Sequence, residues 1–427
     1  MDAHSTTEAE SLKLKGNTLF GSKDYEGAAK CYSEAMCLQP TEPNYPLNRC
    51  FAYLKMKRWT EADQDATVVL RLDGANIKAL YRRAIARKEQ RDFRGARADL
   101  FAFIDAGGDV KVAIEENILI ATAEANAVMR AVDTPSCGFR LAPSPGRGMG
   151  VFATRPFSRG DLVMIESPLY TAHGSGVEDL ATAIDELSEE DFERMMQLYN
   201  CQDDDSHSPA FGIHFTNALG IDSDTSVLCL QISRINHSCD PNLSFAWHAE
   251  SNTARMFALR PIAAGEELFH SYRRLITFTR AERHERLAPF GFVCACRTCA
   301  LPYLERVVSD KRRMELSMSW KVDQRVPVSQ PARHVEANAQ LVRLLRTEGL
   351  ASGSDTFTAD SAVVCLHHGD WDSARYWTLE TYRTRVEEFG ADCYERTIHD
   401  FMRKLLCNPR GLPEAGKGKK LVFKTRL

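Results

Sequence analysis

The apolar positions at the start of the chain repeat with a fixed step. Tyr25, Trp59 and Phe93 stand 34 residues apart, and so do Ala28, Ala62 and Ala96. The same step joins Gly16, Cys50 and Ala84, and it joins Tyr32, Ala66 and Leu100. Small residues recur where two helices must come close, and an aromatic three positions before each alanine fills the gap at the turn. Pro40, Asp73-Gly74 and Gly107-Gly108 close the successive units. The pattern predicts three helical hairpins over residues 8–107, with a further helix over 110–131 capping the stack.

A unit of this length and pattern resembles the tetratricopeptide repeat, which makes residues 1–131 a repeat domain. Such stacks hold peptides in a groove lined by the first helix of each pair. Here those helices present Lys13, Asn17, Asn48, Lys78 and Arg82. Lys13 and Asn17 are four apart, as are Lys78 and Arg82, so each pair shares a helix face. Lysine and arginine bring charge and asparagine brings oriented hydrogen bonds, a combination that suits carboxylates. The five residues resemble the carboxylate clamp of co-chaperones. That implies, as partners, the acidic C-terminal tails of heat-shock chaperones of the 90 and 70 kDa classes, held by their terminal carboxylate.

Thr134-Pro135 ends the helical pattern. Short apolar runs then predict strands at 162–166, 227–232, 243–249, 255–258 and 267–271. Residues 177–200 return to helical spacing, CQDDDSHSPA reads as an exposed acidic loop, and 301–407 is mostly helical. The segment GDWDSARYW at 369–377 echoes the N-terminal repeat.

Composition adds few constraints. Hydrophobic residues make up 44% and charged residues 26%, ordinary for a folded chain. A net charge of −4 gives no global attraction to nucleic acid or membrane. No apolar run reaches membrane-spanning length. The opening MDAHSTTEAES lacks the basic and apolar regions of a secretory signal, which places the chain in the reducing cytoplasm or nucleus. Thiols there are free or metal-bound rather than paired.

Candidate chemistry lies in three separated segments. The first is the glycine-rich Pro145-Gly-Arg-Gly-Met-Gly150, where a backbone can pass close to a ligand. The second is Asn236-His-Ser-Cys-Asp-Pro-Asn242, dense in polar side chains directly after an apolar run. The third runs from Gly265-Glu-Glu-Leu to Tyr272 and on to Cys294, Cys296 and Cys299. Three cysteines so close suit a tetrahedral zinc ion, and Cys239 in the second segment is the candidate fourth ligand.

Together the three segments resemble a SET domain, the fold of protein-lysine methyltransferases. The motifs are Gly148-Met149-Gly150, Asn236-His237-Ser238-Cys239, Gly265-Glu266-Glu267-Leu268 with Tyr272, and the late cysteines. The chain is similar to SMYD-like enzymes, but residues 168–200 lack the Cys/His cluster of their MYND finger. The resemblance implies an α+β multidomain chain: helical repeats, then a β-rich SET fold over 136–275 with a helical insertion at about 168–225. A zinc-binding post-SET segment over 276–302 follows, then a helical region over 303–427 with a basic tail.

It further implies S-adenosylmethionine as cofactor and a protein lysine, histone or non-histone, as substrate. Arg147, Gly148 and Met149 would hold the methionine part of the cofactor through their backbone. Asn236 would hydrogen-bond it, His237 would offer backbone groups near the adenine, and Asn217 would make a further contact. Phe292 would stack on the adenine or wall the lysine channel beside Phe290. Tyr272 would orient the amine and the methyl group and carry catalysis. His237 and His270 are read as structural, with no general base. A non-catalytic adaptor, in which the repeats do the work, is the alternative reading.

Overall fold

The computed structural model describes residues 3–131, 137–174, 176–202, 208–320, 328–350, 352–392 and 396–427. It divides into two compact units, Met1–Asn126 and Ala127–Leu427. The acidic stretch at 203–205 lies outside the described residues.

The first unit is a run of helical hairpins: α1 (Ala3–Gly21) with α2 (Tyr25–Leu38), α3 (Asn44–Lys55) with α4 (Trp59–Leu72), and α5 (Ile77–Glu89) with α6 (Phe93–Asp105). A seventh helix, α7 (Val110–Ala131), follows and runs past the unit's boundary at Asn126. The 34-residue step is visible at each turn. Lys23, Lys57 and Arg91 all take positive φ, at 67°, 57° and 63°, so each chain reversal has the same shape. The carboxylates of Asp24 and Asp92 then cap the following helix by accepting from the Gly27 and Gly95 amides. A Cβ on Gly27 would lie 2.3 Å from the Asp24 carboxylate, so the cap requires glycine there. Ala28, Ala62 and Ala96 are fully buried where the paired helices meet. A Cβ on Gly16 would strike the Tyr32 ring at 2.6 Å. One repeated feature escapes the apolar pattern. Arg49 pairs with buried Asp65 at 2.6 Å, and one repeat later Arg83 pairs with buried Asp99 at 2.6 Å.

In the second unit, β1 (Phe139–Ser144) and β2 (Gly148–Ala153) form an antiparallel hairpin around residues 145–147. Then come β3 (Leu162–Glu166), β4 (Tyr170–His173), α8 (Val177–Asp185), α9 (Glu189–Met196) and α10 (Pro209–Asn217). The helical stretch expected over 177–200 is thus two helices, because Ser188 stops the first register and caps α9. After β5 (Leu219–Gly220) and β6 (Thr225–Leu228), the chain makes a 3-10 turn at Ile232–Arg234. The strand expected over 227–232 therefore ends at Leu228. The cause is Glu166, whose carboxylate accepts from the Gln231 and Ile232 amides at 2.9 Å each and bends the chain out of the sheet.

Next are β7 (Asn236–His237), β8 (Leu243–His248), β9 (Thr253–Ala258) and β10 (Phe269–His270). Three strands pair in the order β3-β9-β8, three in the order β4-β6-β5, and β10 lies parallel to β7. Val151, Met164, Ile232, Ile235, Met256 and Leu268 fill the core between these pieces. Burial of this set, at about 25 cal/mol per Å² of apolar surface, is the main term holding β2, β7 and β10 together.

The remainder is helical: α11 (Arg280–Leu287), α12 (Tyr303–Trp320), α13 (Pro331–Thr347), α14 (Ser354–His367), α15 (Trp371–Phe389) and α16 (Arg396–Cys407). The turn from α14 to α15 reproduces the geometry of the N-terminal hairpins. Gly369 takes φ of 70°, Asp370 caps the Ser373 amide at 3.1 Å, and Ala374 is fully buried. The end of α15 is tied to the β3-β9-β8 sheet through buried charges. Arg255 on β9, 3% exposed, meets Asp392 at 2.9 Å. Removing one partner of a buried pair strands the other charge, at a cost of about 3–5 kcal/mol. Asp392→Ala is therefore expected to lower the urea midpoint of unfolding sharply, whereas Asp392→Asn, which can still accept from Arg255, should lose less. No described helix is long and apolar enough to cross a membrane.

Candidate active site and zinc centre

The zinc centre is the simplest part to test against geometry. Four thiolates at about 2.3 Å from one zinc ion stand about 3.8 Å apart from each other. The Cys239 sulfur is 3.8 Å from that of Cys294 and 3.6 Å from that of Cys299. With Cys296, all four sulfurs lie within 4.8 Å of one another, and all four residues are buried. Leu275, Leu287, Phe278, Phe290 and Phe292 surround them. A closed set of four sulfurs in an apolar shell suits a structural zinc and leaves no open position for a water. Arg283, 1% exposed, points a guanidinium nitrogen at the Cys299 sulfur from 3.5 Å, a charge that complements a four-thiolate centre.

From Cys239 the site continues through the neighbouring strand β7. The Tyr272 amide donates to His237 Nδ1 at 3.1 Å, which assigns the ring proton to Nε2. Nε2 in turn lies 3.3 Å from the Cys239 sulfur. Burial holds the His237 pKa down to about 3 and that of His270 down to about 4, so both rings are neutral and neither supplies a cation. The Tyr272 hydroxyl donates to the Ile235 carbonyl at 3.1 Å. Burial pushes its pKa up, so the phenol keeps its proton. The Tyr272 ring stands 5.1 Å from Phe290 and 6.3 Å from Phe292, centre to centre, which makes an aromatic wall.

The glycine turn and Asn236 meet through a residue to which the sequence assigns no separate role. The Glu267 carboxylate accepts from Asn236 Nδ2 at 2.8 Å and from the Ser144 hydroxyl at 2.9 Å, and it lies 3.6 Å from the Arg147 guanidinium. Asn236 Nδ2 also donates to the Met149 carbonyl at 3.0 Å. Both amide protons of Asn236 are thus used within the chain, and its carbonyl oxygen remains as an acceptor for a ligand. Gly146 and Gly148 take φ of 73° and 75°, the left-handed conformation of the tight turn that closes the β1–β2 hairpin. Gly150 has no room for a side chain: a Cβ would lie 2.4 Å from Glu267 Oε1 and 3.0 Å from Asn236 Nδ2. For the cofactor that the resemblance implies, Gly150→Ala is expected to push these two groups apart and weaken binding by about tenfold or more. Titration with S-adenosylhomocysteine by calorimetry reads this directly, and unchanged affinity would contradict it.

Asn242, fully buried, is the other residue that sequence inspection passes over. Its amide donates to the Glu267 carbonyl at 2.9 Å, and its oxygen accepts from the Phe269 amide at 2.7 Å, locking β10 beside β7. Asn217 closes α10: its Nδ2 donates to the Ile213 and Tyr199 carbonyls at 2.7 Å each, leaving only Oδ1 for a ligand.

A cleft of about 2610 Å³ joins these pieces and is lined by Arg147, Gly148, Met149, Asn217, Asn236, His237, Tyr272 and Phe292 among others. Its far wall includes Asp355, Arg385 and Asp392 from the C-terminal helical region. Small-ligand sites measure roughly 300–1,000 Å³, so this volume has room for a cofactor and a polypeptide segment together.

In the first unit the five basic and amide residues sit where the repeat pattern puts them. Lys13 and Asn17 are on α1, Asn48 on α3, and Lys78 and Arg82 on α5. Asn48 donates to Asn17 at 3.4 Å, and Tyr32 donates to the same Asn17 oxygen at 2.8 Å. Arg82 lies 4.5 Å over the Phe51 ring, which fixes its guanidinium. Lys13 is paired with Glu10 on its own helix. Lys78 is exposed and meets no carboxylate among the described residues.

Residues 148–273 match the SET domain family. The chain is 28% identical over 238 residues to histone-lysine N-methyltransferase set5 of Schizosaccharomyces pombe, covering 55% of this chain and 74% of that protein. It is also 39% identical over 94 residues to the human mitochondrial import receptor subunit TOM70, covering 21% of this chain and 16% of that protein. Among solved structures, the first TPR of Spaghetti (RPAP3) bound to an HSP90 peptide aligns at 30% identity. It covers 28% of this chain and 94% of that one, with a TM-score of 0.27. The chain carries a SET domain behind N-terminal tetratricopeptide-like repeats, and it is similar to a SET methyltransferase.

Proposed function

We propose that this chain is a protein-lysine N-methyltransferase that uses S-adenosylmethionine, with repeats that capture acidic C-terminal tails of heat-shock chaperones. The observation that supports the enzyme reading most is the joint placement of Tyr272 and Asn236. Tyr272 lies at an aromatic wall, hydrogen-bonded to the residue that precedes Asn236, and Asn236 keeps a carbonyl acceptor turned to the same cleft. S-adenosylmethionine, when bound, supplies a methyl group on a positively charged sulfur. The chain's own residues do the rest. Arg147, Gly148 and Met149 would hold the cofactor through backbone groups, Asn236, His237 and Asn217 would contact it, and Phe292 would flank it. The aromatic wall disfavours the ammonium form of an entering lysine. Transfer of that methyl group to the neutral amine would leave the cofactor as its neutral thioether, and the methylated amine would give its extra proton to water. Tyr272, protonated and fixed by the Ile235 carbonyl, offers its oxygen to the amine N–H and sets the line of attack.

Zinc on Cys239, Cys294, Cys296 and Cys299 would pin the second and third segments together. Cytoplasmic or nuclear residence is part of the proposal, and the twelve described cysteines are all unpaired, which suits a reducing compartment. The test of the enzyme is transfer of a labelled methyl group from S-adenosylmethionine to protein lysine by the purified chain. No transfer to any cell-extract protein or peptide would sink the reading in favour of a non-catalytic adaptor.

The clamp rests on Lys13, Asn17, Asn48, Lys78 and Arg82. A peptide ending in Asp with a free carboxylate is expected to bind in the micromolar range, and its amidated form to lose most of that affinity. Lys78→Ala should weaken the first by about tenfold and leave the second unchanged. Equal binding of the two peptides by calorimetry would rule the clamp out.

A further inference from the structure

The cleft of the SET unit has an uneven charge. Six arginines and four carboxylates line it. Of the carboxylates, Asp240 is paired with Arg297 at 2.7 Å, Asp355 with Arg385 at 2.9 Å, and Asp392 with Arg255 at 2.9 Å. Glu250, at the turn between β8 and β9, has no ion pair among the described residues. On the other side, Arg147 is turned to Glu267 and Arg385 to Asp355. That leaves Arg234, Arg273, Arg274 and Arg286, none of which meets a carboxylate among the described residues.

Arg234, Arg273 and Arg274 flank Tyr272 through the chain or through its hydrogen-bond partner, and Arg286 lies farther along the same cleft wall. Arg273 and Arg274 follow it in the chain and are exposed. The Arg273 guanidinium lies 5.5 Å over the Phe290 ring, which is itself 5.1 Å from Tyr272. Arg234 precedes Ile235, whose carbonyl takes the Tyr272 hydroxyl. Arg286 lies 3.8 Å over Phe278, another residue of the cleft wall. Stacking on aromatic rings holds a guanidinium in place while leaving its N–H edge free to bind a carboxylate.

We infer that the lysine accepted by this site sits in an acidic stretch of its substrate, with Arg234, Arg273, Arg274 and Arg286 reading the flanking Asp and Glu side chains. The inference rests on the methyltransferase reading and narrows it. A lysine- and arginine-rich tail would bring like charge against the same rim, and like charges across a docking surface select against a partner.

Three peptides with one central lysine and an amidated C-terminus, which keeps them off the clamp proposed for the repeats, flanked by acidic, neutral or basic residues, separate the possibilities. Binding is measured by fluorescence anisotropy to the full chain with S-adenosylhomocysteine present, and methyl transfer is measured in parallel. The acidic peptide should bind about tenfold more tightly than the basic one at low salt, and the gap should close toward 1 M salt as the charges are screened. The exposed pair changed together, Arg273→Glu with Arg274→Glu, should reverse the order. Equal or tighter binding of the basic peptide overturns the inference and leaves the methyltransferase reading in place. Displacement of the acidic peptide by single- or double-stranded nucleic acid at matched charge also overturns it. The acidic preference in binding without transfer to any peptide upholds the recognition surface and counts against the enzyme.

Discussion

Tyr272→Phe is expected to lower kcat for methyl transfer by about 100-fold, with zinc content and thermal midpoint unchanged. The ring would remain in the wall formed with Phe290 and Phe292, so the channel keeps its shape. Only the oxygen is lost, and with it the group that accepts from the amine. A single fixed polar group at a reacting centre contributes on the order of 10²–10³ in rate, because it needs no reorganisation during the step. The change should fall on kcat rather than on cofactor affinity, since Arg147 and Asn236 are held by Glu267 and Met149 by Asn236, contacts that do not use the Tyr272 hydroxyl. A loss of less than about threefold would remove Tyr272 from the mechanism.

Cys296→Ala is expected to have the other large effect: loss of bound zinc and, with it, loss of both fold stability and activity. Binding of structural zinc by thiolates contributes roughly 10 kcal/mol or more in small domains, and an open three-sulfur site retains little of it. Because His237 connects the Cys239 sulfur to the Tyr272 amide, the damage should reach the catalytic residue. Metal analysis should fall from about one zinc per chain to a small fraction. The thermal transition of the SET unit should drop by about ten degrees or more, while far-ultraviolet signal from the repeats persists. Retention of stoichiometric zinc in the variant would contradict the four-cysteine assignment.

Much of this architecture was legible in the sequence because it is written in local spacing. A 34-residue step in Tyr25, Trp59 and Phe93 announces helical hairpins, and three cysteines within Cys294–Cys299 announce the buried cluster that they form with Cys239. What was not legible depends on distant partners. Glu267 stands in a motif, yet its contact with Ser144 spans 123 residues. Arg255 and Asp392 are 137 residues apart, and no periodicity links them. The expected strand over 227–232 failed for the same reason, since the groups that bend it are capped by Glu166 from another strand. Asn217 fits its motif, but only the folded chain reveals that both of its amide protons are spent on carbonyls nearby.

The contrast between the two units also sets an order in time. In the repeats, the recurring ion pairs and turn caps join residues 3 and 16 positions apart. The SET domain instead joins Asn236 to Met149 across 87 positions, and its cysteine cluster joins Cys299 to Cys239 across 60. Short-range contacts form quickly and long-range ones slowly, and domains made first fold first during synthesis. The N-terminal hairpins therefore complete while the ribosome is still adding the segments that the SET domain needs. A nascent chain of this protein can thus display its folded repeats well before its four clustered cysteines come together, so on the clamp proposal a chaperone tail caught there would be in hand as the slower half folds.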